Sequence, residues 1–291
     1  MSIIDSIRKF FGRRADPRII TMDQANGLFE GGAVGEALGV PVKDRTPEQL
    51  HRSPVGDILG FGDYRTPGGT LSVCTEAAYD FVDYLADNEI QGFAPLRLLA
   101  LCNSWYIYKV KDEDARLRLL LPAAVVAGSL FSVLPKLNVK EAVGALPDLV
   151  CDQCIATASL FFCAGKYVSC GLSPDESVKK ASDILSKVCS EIGLVVSGSG
   201  VTSSFKNVLE TSFAHNTDGY SSAVLSAVNS GVYPDLTGYL VGSLAGICYN
   251  SAAIPEAWKS SVFGMDNALR HATVLHTLVN HAAYPSTKIP L

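Results

Sequence analysis

The chain has 291 residues, of which 48% are hydrophobic and 18% are charged, so it can bury one large core or two small ones, and disorder over most of its length is excluded. Its formal net charge of -5 provides no basic surface field, and we therefore expect no nucleic-acid partner. Because no signal peptide precedes its eight cysteines, we expect reduced thiols and a cytoplasmic protein.

Residues 1–21 form a predicted N-terminal arm that is amphipathic and basic. On a helix, one face would carry Ile3, Ile7, Phe10 and Phe11. The favoured interpretation is that this face folds back onto the domain. Contact of the arm with a membrane surface and binding of a protein partner are the two open alternatives.

Residues 22–291 are predicted to form one all-α domain, a single orthogonal helical bundle. Apolar residues recur at helical spacing in one segment after another, and no run alternates as a strand does. These segments are Gln24 to Leu38, Leu71 to Leu85, Pro95 to Tyr108, Cys151 to Val168, Pro174 to Val196, Asp218 to Ser230 and Asp235 to Asn250. The apolar run from Leu119 to Pro135 contains Pro122 and is shorter than the ~20 residues of a spanning helix, so it predicts a core helix and no transmembrane span.

Two stretches lack this helical period. The stretch from Val40 to Gly69 is rich in proline, glycine and charge, which predicts a long loop of the kind that often lines a site. The stretch from Ser197 to Ser204 contains two glycines, but no strand precedes it and no lysine follows it. We interpret it as a flexible connection and not as a phosphate-binding loop.

Two glycine-rich helical segments carry a family resemblance. Gly31 to Pro41 reads GGAVGEALGVP, with small residues for close helix contact and a proline that ends the helix. Ala227 to Trp258 is another glycine- and alanine-rich helix that follows a turn. As a pair they resemble the first and last core motifs of the ADP-ribosylglycohydrolase family, over roughly Gln24 to Val262. The resemblance implies an all-α fold, hydrolysis of ADP-ribose from modified side chains, and two magnesium ions beside the ribose.

The early metal motif of that family has lost its carboxylates in this chain. Where the family has a Ser or Thr, two adjacent Asp and a Thr, the chain has Ser72, Val73, Cys74 and Thr75. Mg²⁺ is a hard cation that binds oxygen ligands, and a pair of ions needs several carboxylates to offset its charge. The early motif therefore predicts no metal binding.

The late metal motif keeps one of its two acids. The resemblance places Tyr233 at the first aspartate position and Asp235 at the second. We hypothesise that the ring of Tyr233 fills the space that a metal ion would occupy. The degenerate cleft is thus predicted to contain Glu36, Ser72, Val73, Cys74, Thr75, Tyr233 and Asp235, with no catalytic residue, no metal ligand set and no cofactor.

The segment from Ala127 to Pro135 resembles the central Gly-Ser segment of the family. Gly128 and Ser129 of this segment, with Gly231 of the late motif, are the candidate ligand-binding residues that the resemblance implies. Further departures from the family pattern occur at Lys43, Ala127, Ser132 and Cys151.

The resemblance and the missing acids together predict a pseudoenzyme. It would act by binding ADP-ribose, an ADP-ribosylated protein or a protein partner such as an ADP-ribosyltransferase. An active hydrolase and a purely structural protein are the two alternatives. A role as an effector or antitoxin follows only by analogy with the family.

Overall fold

The computed structural model describes residues 19–63, 65–87, 112–130, 152–192 and 200–283, and within these ranges the chain forms helices and loops without a strand. The α-helices are α1 (Met22–Gly39), α2 (Pro47–Arg52), α3 (Val73–Asp87), α4 (Glu113–Leu130), α5 (Asp152–Ser169), α6 (Pro174–Ile192), α7 (Val201–Val208), α8 (Tyr220–Asn229), α9 (Pro234–Tyr249), α10 (Glu256–Ser261) and α11 (Met265–Ala283). The 3₁₀-helices Val40–Val42 and Ser251–Ala253 and the π-helix Leu209–Ala214 lie between them. The prediction of an all-α fold is confirmed over this part of the chain.

Helix α1 begins at a capping box and ends before a proline. The Thr21 hydroxyl accepts a hydrogen bond from the Gln24 amide at 3.2 Å, and the Gln24 side chain accepts one from the Thr21 amide at 3.0 Å. Pro41 follows two residues after the end of the helix. All residues from 27 to 39 are buried, so α1 runs through the core and has no polar face.

The contact between α1 and α9 forms the centre of the fold, and both helices are buried along most of their length. Three glycines of α1 face three glycines of α9. A Cβ added to the first member would meet the carbonyl oxygen of the second in the pairs Gly27 and Gly246 (2.1 Å), Gly31 and Gly242 (2.4 Å), and Gly35 and Gly238 (1.9 Å). Only glycine permits so close an approach of two backbones.

The periodic segments that became α1, α3, α5, α6, α8 and α9 match these helices within two residues at the ends that the structure describes. Helix α4 begins at Glu113, six residues before the predicted apolar run from Leu119, and α11 was not among the predicted segments. Pro95 to Tyr108 and residues 1–18 of the N-terminal arm lie outside the described residues. The predicted loop from Val40 to Gly69 also contains a 3₁₀-helix and α2. The prediction of a flexible connection up to Ser204 is wrong from Val201 onward, because α7 begins there.

Helix α7 is held by tertiary contacts that its sequence does not reveal. The Thr202 hydroxyl lies 2.9 Å from the Thr157 hydroxyl of α5 and donates to the Gln153 side chain at 2.8 Å. These hydrogen bonds compensate for the weak helix propensity of a Val-Thr-Ser-Ser segment. Among the helices that the structure describes, none is long and apolar enough to cross a membrane.

Candidate functional site

The candidate site lies where the C-terminal end of α1 meets the first turns of α3 and α9. A Cβ at Gly39 would lie 2.2 Å from the carbonyl oxygen of Pro234, so the two backbones touch at this end as well. This approach brings Glu36, one turn earlier on α1, towards Asp235 on α9. The early and late motifs, far apart in the sequence, thus meet at this end of α1, which we call the cleft, although Glu36, Cys74, Thr75 and Asp235 are buried there and do not line the open cavity described below.

Glu36 caps the N-terminus of α3 from a different helix. One carboxylate oxygen accepts hydrogen bonds from the amides of Ser72 (3.1 Å) and Cys74 (3.0 Å) and from the Ser72 hydroxyl. The other oxygen accepts from the amide of Thr75 at 3.0 Å and from its hydroxyl. The first amides of a helix have no partner within the helix, and Glu36 provides that partner for α3.

These contacts leave Glu36 without a free lone pair for a metal ion. A carboxylate offers about four lone-pair sites, and five donors already point at this one. The side chain is fully buried. Burial raises the pKa of Glu36, while the hydrogen bonds from Ser72, Thr75 and Cys74 lower it in part.

Asp235 forms an ion pair with an arginine that the sequence did not reveal. The Arg118 Nε donates to one oxygen of Asp235 at 2.8 Å, and its Nη2 donates to the other at 3.0 Å. The Asp235 side chain is 1% exposed and that of Arg118 is 18% exposed. This bidentate pair is the strong geometry for an arginine and a carboxylate, and it neutralises the retained acid.

The two early-motif positions that lack carboxylates, Val73 and Cys74, have different environments. Cys74 is fully buried beneath the cleft, whereas the Val73 side chain is 41% exposed. Burial raises the pKa of the Cys74 thiol well above its usual value, and the carboxylates of Glu36 and Asp235 raise it further. Cys74 is therefore a neutral thiol and contributes no negative charge to the cleft.

Tyr233 packs beside the Arg118 and Asp235 pair. It adopts the left-handed backbone conformation (φ 45°, ψ 65°) at the start of α9, which is uncommon for a bulky residue. Its ring stacks on Phe205 at 5.5 Å, and the Arg118 guanidinium carbon lies 5.4 Å from the ring centroid. Its hydroxyl donates to Asp114 at 2.7 Å. The ring therefore packs against Phe205 and Arg118 at the edge of the cleft, and the hypothesis that it fills the space of a metal ion stays a prediction.

A cavity of about 500 Å³ opens beside this ring. Its lining includes Lys43, Asp44, Asp114, Arg118, Ser204 and Tyr233, together with the backbone of Gly200 at the start of α7. Basic, acidic and neutral polar groups thus surround one space. A volume of this size is within the usual range for small-molecule sites.

The three candidate ligand-binding residues lie in two different places. Gly231, with φ 72°, lines the cavity. Gly128 instead contacts α5, where an added Cβ would lie 2.1 Å from the carbonyl oxygen of Phe162. The Ser129 hydroxyl is buried and donates to the Val125 carbonyl of its own helix at 3.2 Å. The described part of the central segment therefore contributes to helix packing, while Ser132 and Cys151 lie outside the described residues.

The donor set of this cleft does not fit the magnesium pair that the family implies. One acid is saturated by hydrogen-bond donors, and the other is paired with a guanidinium that would repel a divalent cation. Within the ranges that the structure describes, no three His, Cys, Asp or Glu side chains come together as a metal-ligand group.

Sequence reasoning missed Arg118, Asp114 and Phe205. Arg118 carried one available signal, because it is the last charged residue before the long apolar run of α4. A cation at the edge of a buried helix requires a partner. The identity of that partner, 117 residues away in the chain, could not be derived from the sequence.

Comparisons with known proteins identify the family and the fold. A family model described as ADP-ribosylglycohydrolase matches residues 118–284, more than half of the chain. Among 31 similar chains of known structure is one described as "ADP-ribosylglycohydrolase-related protein complex", with a TM-score of 0.58 and 20% identity over 89% of this chain and 98% of that chain. No curated protein sequence matches. The predicted resemblance to the fold of this family is confirmed.

Proposed function

The chain belongs to the ADP-ribosylglycohydrolase family, and from this premise we propose that it binds ADP-ribose, free or attached to a protein, without hydrolysing it. One observation carries the proposal: both remaining acids of the cleft are engaged by groups of the chain itself. Glu36 holds the start of α3, and Asp235 holds Arg118. Neither carboxylate is free to hold a metal ion or to activate water.

The cavity beside Tyr233 supports the binding part of the proposal. The diphosphate of ADP-ribose is anionic, and Lys43 places positive charge along the lining, beside the Arg118 guanidinium that is already paired with Asp235. Helix α7 begins at Val201 with Gly200 as its N-cap, and its Thr202 amide donates to the Gln153 side chain. The dipole of this helix adds partial positive charge on the same side of the cavity. Asp44 and Asp114 provide acceptors for ribose hydroxyl groups.

Calorimetric titration of the purified protein with ADP-ribose, with and without Mg²⁺, tests this proposal. We expect binding with the same affinity in both conditions, because no metal ion takes part. Incubation with an ADP-ribosylated protein should release no ADP-ribose. Absence of binding would contradict the proposal and favour a purely structural role, and magnesium-dependent release would favour the alternative of an active hydrolase.

A matched pair of variants locates the binding site. Lys43→Glu reverses a charge in the cavity lining and should weaken ADP-ribose binding at least tenfold, about 1.4 kcal/mol. Lys187→Glu makes the same change at an exposed position of α6 away from the cavity and should leave the affinity unchanged. If the two substitutions weaken ADP-ribose binding equally, the ligand binds elsewhere or the loss of affinity comes only from the overall charge of the protein.

The nature of the partner and the compartment are further parts of this proposal. The similar structure described as a complex supports a protein partner, such as an ADP-ribosyltransferase or an ADP-ribosylated protein. The cysteines of the described residues are free thiols, which supports a reducing compartment such as the cytoplasm. The effector or antitoxin role and the membrane contact of the N-terminal arm stay predictions.

A further inference from the structure

We propose that the Arg118 guanidinium is a built-in cation that replaces the divalent metal ion beside Asp235. The cleft would then keep the charge balance of a metal site with no metal. The family resemblance places Asp235 at a metal-binding acid of the late motif, and in the structure its charge is balanced by a side chain from α4. This inference rests on family membership and on the geometry of the pair, and it does not depend on ADP-ribose binding.

The position of Arg118 distinguishes it from an ordinary surface arginine. The chain contains a second bidentate pair, Arg45 with Asp63, at 3.1 and 3.3 Å. The Asp63 side chain is 40% exposed, whereas Asp235 is 1% exposed and begins a core helix. A carboxylate as buried as Asp235 requires either a counter-charge or a full set of hydrogen-bond donors such as Glu36 has, and a solvated one such as Asp63 does not.

The surroundings of Arg118 agree with the role of a central cation. Its guanidinium binds Asp235 in the plane and lies over the ring of Tyr233, and its Nη1 lies 3.4 Å from the backbone carbonyl of Asp114. Carboxylate, carbonyl and aromatic groups thus approach it from different directions. Cys74 stands at one of the aspartate positions of the family motif, and its amide donates to Glu36 at the same end of α1. The cation thus binds the retained acid of the late motif at the place where the early motif also meets α1.

The test restores one acid with and without the arginine. Cys74→Asp alone should show the same melting temperature with and without Mg²⁺, because Arg118 still balances the acids. Cys74→Asp combined with Arg118→Met should melt several degrees higher in millimolar Mg²⁺, because the two acids then face each other without a counter-charge. Arg45→Met, which breaks the surface pair, should not respond to Mg²⁺. An equal magnesium response of the single and double variants, or no response of the double variant, would overturn the proposal.

A second measurement applies if the double variant does not fold. Calorimetric titration with Mg²⁺ of Arg118→Met, which keeps the native Cys74, should detect weak binding that is absent in the parent and in Arg118→Lys. The lysine keeps the positive charge and loses the bidentate geometry. Identical behaviour of the methionine and lysine variants towards Mg²⁺ would mean that the charge at residue 118 does not replace a metal ion.

Discussion

The glycine contact between α1 and α9 and the cleft at its end are built from the same two helices, but different interactions stabilise them. Along the contact, backbones touch with no side chain between them. In the cleft, the charged side chains of Glu36 and Asp235 are satisfied by an α3 cap and by Arg118. The glycine contact fixes the distance between the two helices. The chemistry of the cleft can therefore change while its shape is kept.

The largest expected loss of stability comes from a substitution that breaks the glycine contact. Gly35→Ala would place a Cβ 1.9 Å from the backbone carbonyl of Gly238, and the helices must separate to accommodate it. We expect a loss of about 3 kcal/mol or more in the free energy of unfolding, measured by urea denaturation. Gly56→Ala is the control, because nothing lies within 4 Å of its added Cβ. If Gly35→Ala lowers the free energy of unfolding no more than Gly56→Ala does, the two helices are not tightly fixed.

The next largest effect distinguishes the stability contributed by a buried ion pair from that of an exposed one. Asp235→Asn leaves the Arg118 guanidinium without a charged partner in a site where it is 18% exposed, and should cost about 2–3 kcal/mol of unfolding free energy. Asp63→Asn makes the same change in the Arg45 pair and should cost less than about 1 kcal/mol. Similar losses in the two variants would mean that the cleft pair is as solvated as the surface pair.

The smallest effect concerns the cap of α3 and carries a pH signature. Glu36→Gln replaces an oxygen that accepts from Thr75 by an amide group, which should cost about 1–2 kcal/mol. Burial raises the pKa of Glu36 above its usual 4.5, so the folded protein holds this proton more tightly than the unfolded chain. The stability that this provides is fully present below pH 4.5 and is lost as the pH rises through the folded pKa.

The raised pKa of Glu36 determines how the effect of the substitution should change with pH. In urea denaturation at a series of pH values, the advantage of the parent over Glu36→Gln should shrink as the pH rises above 4.5. Glu76→Gln changes an exposed side chain in the first turn of the same helix and should alter stability little at any of these pH values. An advantage that grows with pH would show that the hydrogen bonds outweigh burial and lower the pKa of Glu36.

The sequence was a good guide to the glycine contact and a partial guide to the cleft. Small residues at helical spacing in Gly31 to Pro41 predicted a close helix contact, because that pattern is local. The family resemblance put Glu36, Ser72, Cys74 and Thr75 in one cleft, and in the structure Glu36 accepts hydrogen bonds from the other three. The cap that Glu36 provides could not be derived, since it depends on how α1 meets α3 in space.

The ion pair in the cleft shows the same limit more strongly. Asp235 was predicted to remain from a metal site, but its partner Arg118 belongs to a helix that was interpreted only as apolar core. Nothing local in the sequence relates the two. The left-handed conformation of Tyr233 was equally hidden, because bulky residues seldom adopt it and no glycine marks the position.

The pairing of α1 with α9 also has a consequence for the synthesis of the protein. Helices α2 to α8 lie between them in the chain, so α1 leaves the ribosome long before the helix against which its glycines pack. During that interval its apolar surface has no partner, and a contact between such distant segments forms slowly. We expect this helix to be a natural target for chaperones until α9 has been translated.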